Sequence, residues 1–218
     1  MEWLSNNLEL VFSLTLDHVR LSIIPIVVGF VVSVPLGWWA VRHPKVGAAL
    51  IPAVGVLYTI PSLALFMLLP PLLGISVLSE ANVLIALSIF ATALMVQTAA
   101  DGFSSIQATS LRAATALGYS GWGRFWSVEL PLAGPVLLAG VRVVAVSTVS
   151  LVTVGILVGV PSLGFLFTDG FQRRIIPEVV TGVAMTVLVA LVIDYGLVRL
   201  GALVMPWTMA AAPVKAVR

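Results

Sequence analysis

Apolar residues run almost unbroken from Val19 to Val41, and at 1.5 Å per residue this stretch makes about 35 Å of helix. That is enough to cross a hydrocarbon core of roughly 30 Å. Ahead of it, residues 1–18 interleave Glu2, Glu9 and Asp17 with Trp3, Leu4, Leu8, Leu10, Val11, Phe12 and Leu14. The spacing predicts an amphipathic segment on the membrane surface rather than across it. Arg42, Pro44 and Lys45 stop the first span. A second is predicted from Val46 to Leu69, interrupted at Pro52 and Pro61, breaks tolerated in lipid only where a neighbour or a cavity satisfies the freed carbonyls. The third runs from Ala81 to Ala100, the fourth from Pro131 to Val160, and the fifth from Val179 to Met205, with Pro206 closing it. A polar loop with Asp169, Arg173, Arg174 and Glu178 joins the last two.

Between the third and fourth spans lies a stretch of another character, Leu111 to Pro131, reading LRAATALGYSGWGRFWSVELP. Its Ala-rich first part suits a short helix, and Gly118 and Gly121 can turn the chain. From Trp122 to Leu130 it sets aromatics on one side and Arg124 and Glu129 on the other, and Pro131 is expected to open the next helix. Two short helices at the membrane surface make a knob that another protein can hold.

Composition settles the class. The chain has 218 residues, 60% hydrophobic and only 9% charged, with mean hydropathy +1.15. A soluble domain carries about 25% charge, so this is an integral membrane protein of all-α class. Cysteine is absent, which excludes disulfides and thiolate metal sites. The eleven basic residues are scattered rather than clustered, which speaks for membrane topology and against nucleic acid. Basic residues at 42–45, in the 111–131 loop and at Lys215 and Arg218 place these regions in the cytoplasm and the N-terminus outside. Arg20, Arg173 and Arg174 fall on the outer side, each with acidic neighbours.

Candidate chemistry is sparse. Arg142 lies inside the fourth span, as a brace between helices, a wall of an inner vestibule, or a side chain reaching back to the headgroups. Asp194 in the fifth span has Tyr195 adjacent and Arg199 nearby, suggesting a structural ion pair or a tail-side cap rather than a proton relay or a binding carboxylate. Asp101 and Asp194 lie in no Gly-rich catalytic motif, which argues against an intramembrane aspartyl protease. His18 and His43 are isolated and read as span-boundary residues, and no metal spacing is seen. No phosphate-cradling loop occurs, so any ATP must be hydrolysed by another chain. Tyr58, Thr59, Ser62, Gln97, Ser147, Ser150 and Thr153 supply neutral hydrogen-bonding groups to the second, third and fourth spans, either along a solute path or as interhelical contacts.

The 111–131 stretch also carries a resemblance. Ala113-Ala114, then Gly118 four residues later, then Val128-Glu129-Leu130-Pro131 resembles the EAA loop of ABC-importer permeases in spacing throughout, with Arg112 where that family usually has Glu. Tyr58-Thr-Ile-Pro-Ser-Leu-Ala-Leu-Phe66, Glu129 to Arg142 and Val158-Gly-Val-Pro-Ser-Leu-Gly164 are similar to the permease of glycine betaine/carnitine/choline osmoprotectant uptake systems. The resemblance implies a type I ABC importer permease (MetI-like) fold of five core spans, 19–205, with an N-terminal segment 1–18, a coupling loop 103–131 and a cytoplasmic tail 206–218. It also implies a bacterial inner-membrane location, a second permease chain, two cytoplasmic ATPases holding ATP and Mg, and an external solute-binding protein. Ala113, Ala114, Gly118, Tyr119, Trp122, Leu130 and Pro131 would then couple to the ATPase, with Tyr119, Trp122, Phe125 and Trp126 filling its socket. The same aromatics also suit seating at the headgroups. A permease of this architecture for an amino acid such as methionine, and a channel or scaffold independent of ATP, are the alternatives.

Overall fold

The computed structural model describes residues 2–208; Lys215, Arg218 and the rest of the tail beyond Thr208 lie outside the described residues. Ten α-helices carry the chain within them: α1 (Glu2–Asn6), α2 (Leu8–Arg42), α3 (Pro44–Thr59), α4 (Ser62–Leu73), α5 (Glu80–Ser104), α6 (Ala108–Ala116), α7 (Gly121–Arg124), α8 (Leu130–Val152), α9 (Gly164–Gln172) and α10 (Ile176–Val204). A π turn, Phe125–Glu129, joins α7 to α8, and a 3₁₀ turn, Thr153–Val158, extends α8. Four of the resulting helices are long and apolar enough to cross a membrane, and the α3–α4 pair makes a fifth crossing if counted as one.

The first crossing differs from the expected boundaries. Residues 8–18 do not form a surface segment of their own but continue into the span as one helix, α2, of 35 residues. Val11 and Leu14 are buried against Val149, Leu163, Leu166 and Val189, so the apolar face of the span extends back to the start of the helix. His18 is consequently interior rather than at a boundary: it is fully buried, with Nε2 3.1 Å from the Val149 carbonyl.

Small residues let the helices close on one another. A Cβ added to Gly29 would lie 2.6 Å from Ala91 Cβ, and one on Gly37 2.6 Å from Ala99 Cβ, so α2 and α5 touch through bare backbone. Arg20 meets Glu80 at 2.7 Å at one end of this pair, and Ser33 Oγ donates to the Thr92 carbonyl at 3.0 Å at its middle. The ascending residue numbers on both sides show that α2 and α5 run parallel. Gly102 opposite Val136, Gly140 opposite Thr98 and Gly155 opposite Val83 set α8 antiparallel to α5. Gly201 against Leu138 sets α10 antiparallel to α8. The central core is Ile26, Val34, Met95, Ala99, Phe103, Phe125, Leu137 and Val144.

Because α2 and α5 are parallel, the chain must return between residues 42 and 80. The α3–α4 pair does this with a 107° bend. The break falls at Ile60-Pro61 alone; Pro52 sits inside an unbroken α3, contrary to the expected double interruption. Proline lacks the N–H of a helical amide, yet it ends a helix only where the residue before it leaves the α region. Ile60 does so, at φ −64° and ψ 128°. The expected polar loop after residue 160 also proves partly helical, as α9, with Arg173 Nη1 donating to Asp169 Oδ2 at 2.9 Å.

Candidate coupling site

The 111–131 stretch forms a helix–turn–helix at the same end of the bundle as Arg42. Helix α6 ends on Gly118, whose φ is +84°. Tyr119 N–H donates to the Ala114 carbonyl at 3.2 Å and Gly118 N–H to the Thr115 carbonyl at 3.0 Å. These two bonds are a Schellman cap, which places its left-handed residue on glycine. Ser120 then caps α7, its Oγ accepting from Gly123 N–H at 3.1 Å.

Ala113, Gly118, Tyr119 and Trp122 are exposed on this tip, whereas Ala114 is buried beneath it. Leu130 and Pro131 are half-buried in the body of the next span. Pro131 stands in the first turn of α8, as expected, but the helical course does not start there: it runs on from Gly121, and Leu130 N–H bonds the Phe125 carbonyl across the π turn. Of the four aromatics, Tyr119, Trp122 and Trp126 face outward, but Phe125 faces in. It lies edge-on to Trp38 at 5.0 Å and 6.0 Å from Phe103, with Trp122 stacked on its outer face at 5.6 Å. Phe125 therefore seats the loop on the bundle and leaves Trp122 as the outer surface of that stack. Arg112, Leu111, Thr115, Ala116 and Arg124 line an open hollow on α6.

Beneath the tip is a carboxylate that the sequence pattern set beside Arg124 without giving it any partner on another helix. Glu129, only 4% exposed, accepts from Trp38 Nε1 and from Arg124 Nε at 2.6 Å, with Arg42 Nη2 3.5 Å away. The Arg42 guanidinium lies 4.3 Å over the Trp38 ring, and Arg124 Nη1 donates to Thr115 Oγ1 at 2.8 Å.

The polar residues of the second to fourth spans are spread along open surface. Tyr58 meets Phe90 edge-on at 6.2 Å, and Gln97, exposed, stands two turns further along the same side of α5. Thr59 Oγ1 donates to the Val56 carbonyl at 2.7 Å, taking one carbonyl near the bend, and Ser62 is half-buried at the start of α4. On α8, Ser147 is half-buried and Ser150 exposed, and Thr153 Oγ1 donates to the Ser150 carbonyl at 2.6 Å.

Arg142 and Asp194 form a bidentate pair, Nε to Oδ1 at 2.6 Å and Nη2 to Oδ2 at 2.9 Å, bracing α8 to α10. Asp194 thus pairs across the bundle and not with Arg199, whose Nε donates instead to Tyr195 Oη at 2.7 Å. Five residues along an α-helix lie on nearly opposite sides, whereas three or four are neighbours. Replacing Asp194 with Asn leaves the Arg142 charge without a counter-charge in an apolar span. The yield of folded protein in membranes is expected to fall several-fold, and the exchange Arg142→Asp with Asp194→Arg to recover roughly half of it. Fluorescence-detected size-exclusion of solubilised membranes reads both. No group of three or more His, Cys, Asp or Glu poised for a metal occurs among the described residues.

Known proteins are similar to this chain in sequence and in fold. The chain is 30% identical over 211 residues to the osmoprotectant import permease protein OsmW of Salmonella typhimurium, covering 94% of this chain and 97% of that one. It is also 30% identical to the glycine betaine/carnitine/choline transport system permease protein OpuCB of Bacillus subtilis, covering 88% and 86%. A chain of the MetNI methionine ABC transporter, solved in inward-facing conformations, superposes with a TM-score of 0.80 at 18% identity, over 91% of this chain and 98% of that one, and shares the fold. Residues 29–208, which take in the later part of α2, all the spans after it and the whole capped knob, match one family, and the chain belongs to it: the binding-protein-dependent transport system inner membrane components.

Proposed function

We propose that this chain is the membrane subunit of an ATP-driven importer of osmoprotectants of the glycine betaine, choline and carnitine type. The observation that carries the reading is the exposed Gly118-capped knob, with Tyr119 and Trp122 at its tip, in a chain 30% identical to permeases named for such solutes. The knob docks in a cleft of a cytoplasmic ATPase, which holds the ATP and Mg; this chain performs no covalent chemistry. Two ATPases serve two permease chains, and the second chain covers the open faces of α5 and α8 on which Gln97 and Ser150 lie. Neutral groups suit a solute that carries its own balanced charge and must be released as readily as it is bound. A solute-binding protein delivers it at the outer ends of the spans, in the inner membrane of a bacterium.

The test is reconstitution of the chain with its copurifying partners in liposomes. Radiolabelled glycine betaine is expected to accumulate only when ATP reaches the ATPases, and unlabelled choline or carnitine to compete. Accumulation that persists without the ATPases would make the chain a channel, and transport of methionine in place of betaine would move it to an amino-acid system.

A further inference from the structure

Glu129 is a carboxylate whose side chain is 6% exposed, in a chain that is otherwise poor in charge. Such a group is retained at a cost in desolvation and persists where partners surround it. Its partners come from two elements, and one of them links a third. Arg124 comes from the knob and carries Thr115 of α6 on its other nitrogen; Trp38 and Arg42 come from the inner end of α2.

The π turn is what makes the arrangement possible. Arg124 and Glu129 are five residues apart, a separation that regular α-helix would turn about 140° around the axis. The wider i→i+5 turn, with Leu130 N–H on the Phe125 carbonyl, brings the two side chains to one side and points both at α2. Single π turns of this kind recur at functional positions in helices. The backbone already ties the knob to α5 and α8, which flank it in the chain. It has no such tie to α2, and the Glu129 cluster supplies one through side chains.

We propose that Glu129 is a positioning residue, a strut that makes the first span move with the knob. The strut rests on the importer reading given above. Displacement of α6 passes through Thr115 and Arg124 to Glu129, and from there to Trp38 and Arg42 at the inner end of α2. Since α2 packs bare backbone on α5 through Gly29 and Gly37, the three spans then shift as one body. Without the strut, the ATPases close and hydrolyse while the first span lags.

The readout is solute moved per ATP hydrolysed, a ratio that a smaller folded or assembled fraction leaves unchanged. Glu129→Gln keeps an acceptor for Trp38 and removes the charge that holds the two arginines; Trp38→Phe removes the indole donor and keeps a ring against Phe125. In the reconstituted complex with radiolabelled glycine betaine, Glu129→Gln is expected to lower the ratio roughly five-fold or more, and Trp38→Phe in the same direction by less. Transport and hydrolysis falling in equal proportion, or a ratio unchanged in both variants, overturns the strut. Nitroxide labels at Ala116→Cys on α6 and Val41→Cys on α2 give a second measurement that needs no solute. Their distance distribution is expected to broaden in Glu129→Gln, and an unchanged distribution overturns the strut as well. Failure of the wild-type complex to accumulate betaine with ATP would instead count against the importer reading, with the label distances still reporting on Glu129.

Discussion

Gly118→Val is expected to lower ATP-dependent uptake roughly tenfold or more, while the protein still inserts in the membrane at its normal level. The reason is conformational and not steric: a Cβ at this position meets no atom within 4 Å, but the residue sits at φ +84°. A β-branched side chain in the left-handed region is a marked outlier, and the strain is about 1–2 kcal/mol for L-residues in general. The short α6 carries little packing to absorb it, with Ala114 its buried residue. The Schellman cap therefore opens, and Tyr119 and Trp122 leave the positions in which a partner would meet them. Gly118→Asn, which tolerates the left-handed region, is expected to keep most of the uptake. Equal uptake by the Gly118→Val variant and the unsubstituted protein would show that the cap geometry is not needed for docking.

Gly164→Ala is expected to be the most damaging single methyl in the molecule. The added Cβ would lie 2.8 Å from the Thr153 carbonyl carbon and 2.9 Å from its Cα, nearer still to the carbonyl oxygen. These are backbone atoms of the 3₁₀ turn that ends the fourth crossing, and they cannot rotate away. Ser162 holds the two segments at this distance, its Oγ donating to the Val152 carbonyl and accepting from Gly164 N–H, both at 3.2 Å. Leu163 and Leu166 on either side are fully buried, so lifting α9 exposes or disorders a packed layer. Overpacking of this kind costs roughly 1–3 kcal/mol or more, and the melting temperature in detergent is expected to fall by roughly 5–10 °C. Gly55→Ala, inside α3 where nothing lies within 4 Å, is the control and is expected to leave the melting temperature at or slightly above its normal value.

How much of this was legible in the chain follows from the range of the forces involved. Long apolar runs forced helices, because lipid leaves backbone groups no other partner, and four crossings stand close to their expected limits. The knob was legible as well, because Gly118 and Ser120 act locally through caps. Limits between helices were harder: nothing in residues 8–18 reveals that Val11 and Leu14 pack on α9 and α10, since that contact is made far along the chain. Pairing of charges failed for the same reason. Asp194 lies near Arg199 in sequence and beside Arg142 only once α8 and α10 are antiparallel. The π turn was hidden more deeply: Arg124 and Glu129 were expected on one side of this stretch, which five residues of regular α-helix do not provide, and the insertion that unites them leaves no mark in composition. Its one trace is a glutamate placed among apolar residues with two arginines and a tryptophan elsewhere at the inner end of the chain.

The bend at Ile60-Pro61 has an electrical consequence. Arm α3 has 16 residues and α4 has 12, so their lengths are about 24 Å and 18 Å, and neither alone matches a hydrocarbon slab of roughly 30 Å. The main chain is thus interrupted at depth, beside Tyr58 and Thr59, where amide dipoles require water or a polar neighbour. Thr59 Oγ1 supplies one such neighbour by donating to the Val56 carbonyl, and the remaining amide dipoles make this flank more polar than an unbroken helix would be.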